Sequence, residues 1–294
     1  MDKRPELGDF LRSRRARLRP EDVGLAYYGG RRRVPGLRRE ELAQLAGVSV
    51  AYYTRLEQGQ SQNASDAVLD AVARALNLGE DERAYLRGLA RPEPAARRRP
   101  RPERVRPGVR MMIESFGDVP AMVIGRCTDA LAWNPMAHAL LAGHLDLDAP
   151  DRPADRPNMA RLLFLDPHTR ELYADWRKKA RDAVAYLRLA AGRYPDDPNL
   201  TALVGELAMK SPEFAALWST HPVGDCAYNT REYRHPLVGA LTLSEEVMPL
   251  PDDRGQRVMV WSAEPGSPSA AALRLLTEVS AETTDRPETA PARR

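Results

Sequence analysis

Residues 40–59 read EELAQLAGVSVAYYTRLEQG, and their spacing decides the fold of the N-terminal part. Leu42, Ala43, Leu45 and Ala46 give a helix an apolar face at i, i+3, i+4 spacing. Ala43 is small enough for a second helix to cross close above it. Gly47 can adopt the left-handed backbone angles that end a helix. Ser49 can cap the next helix by accepting a free N–H of its first turn. In that second helix Tyr53 and Leu56 point inward, and Gly59 marks the stop. Val50, Ala51, Tyr52, Thr54 and Arg55 are left outward. A short helix with an uncharged outer face at its N-terminus suits the major groove, where base edges are read. The plainer alternative is an αα-hairpin that only packs.

Outward from this pair, 5–18 reads as a preceding helix with a stripe of Leu7, Phe10, Leu11 and Leu18. Residues 19–37 form an irregular insert ending in RRRVPGL. Residues 65–76, capped by Ser65, and 80–90 complete a compact all-α domain over 1–90. The run RPEPAARRRPRPERVRP is too rich in Pro and Arg to bury a core, which places a linker at 91–106. From 107 the texture changes. VPAMVIGRCTDALAWN reads as two strands around a turn, and Asn134-Pro135 starts a helix by a cap and an N1 proline. Helical segments fill 158–194 and 197–219. Strand patterns return in YNTREYRH, GALTLSEEVMPL and QRVMVWSAE, and a final helix spans about 267–279. Strands at both ends with helices between them predict an α+β domain with an antiparallel sheet over 107–279. The last residues, 280–294, read as a disordered tail.

Charge is unevenly distributed. The net is only +3, but residues 1–106 hold 23 Lys+Arg against 15 Asp+Glu, while the remainder is acidic. The basic half is the half with the paired helices, as contacts to nucleic-acid phosphates require. Nearly all of this positive charge is Arg, whose fork suits phosphate and guanine. No stretch approaches the length of a membrane span, and the N-terminus has no secretory h-region, so the expectation is a cytoplasmic protein. Cys127 and Cys226 fit neither a disulfide framework nor a metal site, and read as buried thiols. No nucleophile elbow, Walker loop or dinucleotide fingerprint is present, and the histidines have no metal-ligand spacing. No catalytic residue, cofactor or metal is expected.

Several long stretches carry a family resemblance: RRRVPGLRREELAQLAGVSVAYYTRLEQG, DVPAMVIGRCTDALAWNP, ARLLFLDP, RELYADWRKKARDAVAYLRLAAGRYPDDP and VMVWSAEPGSPS. The chain resembles the MmyB-like regulators of actinomycetes, in which a Cro/repressor-type (XRE) helix-turn-helix domain is joined to a PAS-like ligand-binding domain. The resemblance implies a homodimer on a palindromic operator in double-stranded DNA, with a small apolar ligand, a fatty acid being the type the family suggests. The XRE pattern places DNA contacts at Arg39, Ser49, Val50, Ala51, Tyr52 and Arg55, and pairs Arg15 with Glu57. The long connection before the second helix departs from the generic XRE pattern. It leaves the role of Arg31, Arg32 and Arg33 open between backbone or minor-groove contact and plain solubility, with phosphate contact favoured by their place beside the reading helix. In the C-terminal half, Met122, Ile124, Trp133 and Tyr186 are candidate pocket residues, with Arg161 or Arg188 as partner for a ligand carboxylate. The alternative is that this half serves only as a dimerisation or protein-interaction module.

Overall fold

The computed structural model describes residues 3–24, 36–60, 64–90, 103–225, 228–251 and 255–284. Arg31, Arg32, Arg33, Cys226 and most of the Arg/Pro-rich linker lie outside the described residues. The helical opening is α1 (Lys3–Arg17), α2 (Arg39–Leu45), α3 (Val50–Glu57), α4 (Asp66–Ala75) and α5 (Glu80–Ala90). After α6 (Pro107–Glu114) come strands β1 (Ala121–Ile124) and β2 (Ala130–Trp133). Helices α7 (Pro135–Ala142), α8 (Met159–Leu165), α9 (Pro167–Leu172), α10 (Trp176–Arg193), α11 (Pro198–Lys210) and α12 (Pro212–Ser219) follow. The chain closes with β3 (Tyr228–His235), β4 (Gly239–Pro249), β5 (Arg257–Ser262) and α13 (Pro268–Thr284). Thus α13 continues past the expected start of a disordered tail.

The chain divides into two compact units, which are not two consecutive blocks. One comprises residues 1–99 with 184–225, the other 100–183 with 226–294. Nothing in the local sequence pattern announces this grouping of 184–225 with the N-terminal helices.

In the first unit the helix signals act as read. Ser49 accepts from the Tyr52 amide at 3.1 Å and Ser65 from the Val68 amide at 3.4 Å. Gly47 and Gly59 take positive φ of 65° and 68° at the ends of α2 and α3. Phe10, Leu11, Leu42, Ala43, Tyr53, Leu56, Val72 and Leu86 are buried in one core, to which α10 contributes Leu189. Leu45 corrects the expected apolar face: it is 36% exposed, because it falls on the solvent side of the last turn of a seven-residue helix. The crossing of α1 over α3 turns on Gly8, where an added Cβ would overlap the Glu57 carbonyl oxygen. Alanine in mid-helix ordinarily stabilises by about 0.5–1 kcal/mol over glycine. Here the backbone clash outweighs that gain, and Gly8→Ala is expected to destabilise the first unit by about 1–3 kcal/mol. A rise in its urea midpoint on Gly8→Ala would contradict this packing.

In the second unit an antiparallel five-stranded sheet runs β2-β1-β5-β4-β3. This is the α+β arrangement that the PAS-like resemblance implies. Ala121, Val123 and Val258 share a core with Val109 and Ile113 of α6. Asn134 joins the elements. Its Oδ1 accepts from the amides of Ala121 and Ala137 at 3.0 and 2.9 Å, while its Nδ2 donates to the carbonyls of Ile113 and Val119. A buried amide with four partners fixes α6, β1 and α7 together. Residues 103–106, expected to end the linker, are instead tied to this unit. Val105 packs on its core, and Gln256 donates to the Arg104 carbonyl at 3.1 Å. Among the described residues no helix is long and apolar enough to cross a membrane, and no group of His, Cys, Asp or Glu is arranged to hold a metal ion.

Candidate DNA interface and ligand cleft

The outward face of α3 is set by a buried charge cluster behind it. The Glu57 side chain is fully buried. Arg15 of α1 reaches it as a fork, Nε to Oε2 at 3.0 Å and Nη2 to Oε1 at 2.9 Å, while its Nη1 donates to the Leu37 carbonyl at 2.5 Å. Paired bonds of this kind fix angle as well as distance. Burial works against the charge on Glu57, but the hydrogen bonds and charge of Arg15 hold its carboxyl below the ordinary value. Arg39 adds a third bond, Nε to Oε1 at 3.0 Å. Sequence spacing gave no sign of this bond. Arg39 sits at the start of α2, so it ties that helix to the end of α3 while its side chain stays 43% exposed.

With α3 so held, Ser49, Val50, Ala51 and Arg55 are exposed and Tyr52 is half-buried. Val50, 47% exposed, is an apolar side chain left in solvent at the first position of the helix. Arg55 makes no ion pair among the described residues. The face therefore offers methyl groups, two hydroxyls and one guanidinium, which is chemistry suited to a thymine methyl and a guanine edge.

The candidate ligand residues divide between the two units. Tyr186 and Arg188 belong to the first unit, whereas Met122, Ile124, Trp133 and Arg161 belong to the second. Arg188 is 1% exposed, its guanidinium 3.9 Å above the Trp218 ring and 3.7 Å from Glu6, so it is a packed structural cation. Met122, Ile124 and Trp133 are buried sheet residues, paired in part as Met122↔Trp133 across β1 and β2. Arg161 alone of the set lines a cleft of about 460 Å³. Leu145, Ala149, Pro157, Leu162 and Leu165 form its apolar wall.

The acidic residues around this cleft are occupied. Asp146 and Asp155 pair with Arg152 at 2.5 and 3.3 Å. Asp166 caps α9 by accepting from the Thr169 amide at 2.9 Å, and lies 3.2 Å from His144. Its carboxyl is lowered: burial opposes the charge, and the Thr169 hydroxyl and amide outweigh it. Trp133 acts on the cleft from behind. Its indole Nε1 donates to the Leu147 carbonyl at 2.7 Å, holding the loop that carries Leu145, Asp146 and Ala149. The sequence signal for the wall is Arg161-Leu162-x-x-Leu165, which puts all three on adjoining faces of α8; Arg161 is the carboxylate partner expected above, while apolar spacing alone leaves Leu162 and Leu165 open between core and pocket lining.

Comparison with known families gives two matches. A helix-turn-helix domain matches residues 6–86. The MmyB-like transcription regulator ligand binding domain matches residues 105–276, more than half of the chain. No curated protein matches it.

Proposed function

Because this chain belongs to the MmyB-like transcription regulators, we propose that it binds a palindromic operator as a homodimer and answers to a small amphipathic ligand in its C-terminal domain. DNA binding and a ligand-binding domain follow from the two matches; the operator symmetry, the dimer, the ligand chemistry and the absence of catalysis are our reading. The observation that carries it is the exposed face of α3 held on the Arg15–Glu57–Arg39 cluster. Ser49, Val50, Ala51, Tyr52 and Arg55 present to the major groove. Arg31, Arg32 and Arg33, in the basic half, fit the adjacent phosphates.

Replacing Arg55 by alanine is expected to weaken operator binding by about 1–3 kcal/mol and to relax the preference at a single base pair. Fluorescence anisotropy with the parent operator and its single-base variants reads both effects. Uniform weakening across all sequences would make Arg55 a phosphate contact instead.

For the ligand we propose an apolar chain ending in a carboxylate, such as a fatty acid. The support is a cleft of about 460 Å³, inside the usual range for small-molecule sites, with an apolar wall and Arg161 at its lining. Native mass spectrometry of the purified protein, followed by denaturing extraction, tests it. A fatty acid should co-purify, and Arg161→Ala should lower affinity for it about tenfold. A fatty acid retained equally by Arg161→Ala would move the site elsewhere. A protein that binds no fatty acid at any concentration would favour the dimerisation or interaction-module reading.

A further inference from the structure

Residues 184–225 fall inside the stretch matched by the ligand-binding domain, yet they are built into the first compact unit with α1 and α5. Two features show how closely they fit there. Gly88 of α5 faces Gly192 of α10: a Cβ on Gly88 would come to 3.0 Å from the Gly192 carbonyl oxygen, and one on Gly192 would strike the Tyr85 ring. A side chain on Gly192 would have to displace the Tyr85 ring, and one on Gly88 would press the two helices apart by a few tenths of an ångström. Leu189 lies in the same core as Phe10 and Tyr85.

The second feature is a clasp at the C-terminal end of α12. A helix ends with carbonyls that lack partners within it and with the negative end of its dipole. Here three arginines take carbonyls at and just beyond that end. Arg188 donates to Trp218 while stacking on its ring. Arg17 donates to Thr220 at 3.1 Å, and Arg14 to His221 at 2.6 Å. Arg14, 3% exposed, is balanced by Glu82 at 2.7 Å. Burial, with Arg188 nearby, pushes His221 down to about 4, so its ring adds no further charge among the arginines near neutral pH. The segment is fastened again where the Asp225 amide donates to Asp81 at 2.8 Å.

The clasp and the DNA-reading lock share α1. Arg14 and Arg15 are adjacent in sequence, and one holds α12 while the other holds Glu57 of α3. We infer that Val184–Asp225 is an intrachain docking partner of the helix-turn-helix, a brace on α1 and α5 through which residues of the ligand-binding region support the reading helix. Loosening α12 therefore loosens α1, and through Arg15 the seat of α3.

Hydrogen exchange of the full chain without DNA tests this independently of any operator. Two variants are used. Arg188→Met removes the buried guanidinium, and the milder Arg17→Gln removes only an exposed bond. The expected result for both is faster exchange in 212–221, about tenfold for Arg188→Met and less for Arg17→Gln. A parallel rise is expected in α1 and α3, with the strands at 228–262 unchanged. Faster exchange confined to 212–221, with α1 and α3 at parent rates, would overturn the brace. So would parent-like exchange throughout in both variants.

Discussion

Glu57→Ala is expected to cost the first unit about 3–5 kcal/mol, because it removes the one acid among the described residues that neutralises a nearly buried Arg15. Arg39 also loses its partner, so the ionic tie between α2 and α3 goes at the same time. A marginal domain has little more stability than this to lose. Exchange of the α1–α5 amides in the full chain should approach that of an unfolded segment, and a loss under about 1 kcal/mol would show that the cluster is ornamental to stability. The same pair sets an acid limit. The Glu57 pKa is depressed from 4.5, so its contribution is fully present above that value and is lost as pH falls through the lower, folded value.

A similar loss is expected in the second unit on Glu245→Leu. Glu245 is 4% exposed and lies between two cations, Lys179 Nζ at 3.1 Å and Arg231 Nε at 2.7 Å. Asp182 holds the other end of Arg231 at 2.8 Å. Burial penalises Glu245, yet Lys179 and Arg231 together lower its pKa, and the acid replaced by leucine leaves Lys179 without its carboxylate. The cost is expected to be about 3–5 kcal/mol. Adding Lys179→Met should recover part of it, since an apolar pair of similar volume can substitute for a buried ion pair. Urea unfolding followed by exchange in 228–262 measures both variants. A double variant no more stable than the single one would mean that Lys179 is not the group left exposed to the penalty. Here too stability is retained above 4.5 and lost as pH falls through the depressed value.

What was legible in the sequence is what short-range chemistry determines. Ser49, Gly47, Gly59, Ser65 and Asn134-Pro135 act within a few residues of themselves, so caps and stops could be placed from spacing alone. The alternation in β3 and β4 likewise revealed the sheet. The brace was not legible, because Gly88 with Gly192 and Arg14 with His221 are partners about 100 and 200 residues apart, and an amphipathic helix does not specify which neighbour covers it. Spacing could not divide Met122, Ile124 and Trp133 between core and pocket for a related reason. An apolar strand residue has the same signature in a filled core as in a pocket wall. The cleft instead takes its wall from the 145–149 loop and α8, where Arg161 sits.

The most direct test of the proposed function is selection of bound duplexes from a random DNA pool by the full-length protein, followed by sequencing. The expected result is one enriched motif with two-fold symmetry, its half-sites about 10–10.5 base pairs apart or a multiple of that. One position in each half-site should lose its preference when Arg55→Ala is used. A pool that binds with an affinity falling steeply as salt rises but yields no motif would mean that α3 does not read sequence, and would contradict the assignment of Ser49, Val50, Ala51, Tyr52 and Arg55 to the DNA interface.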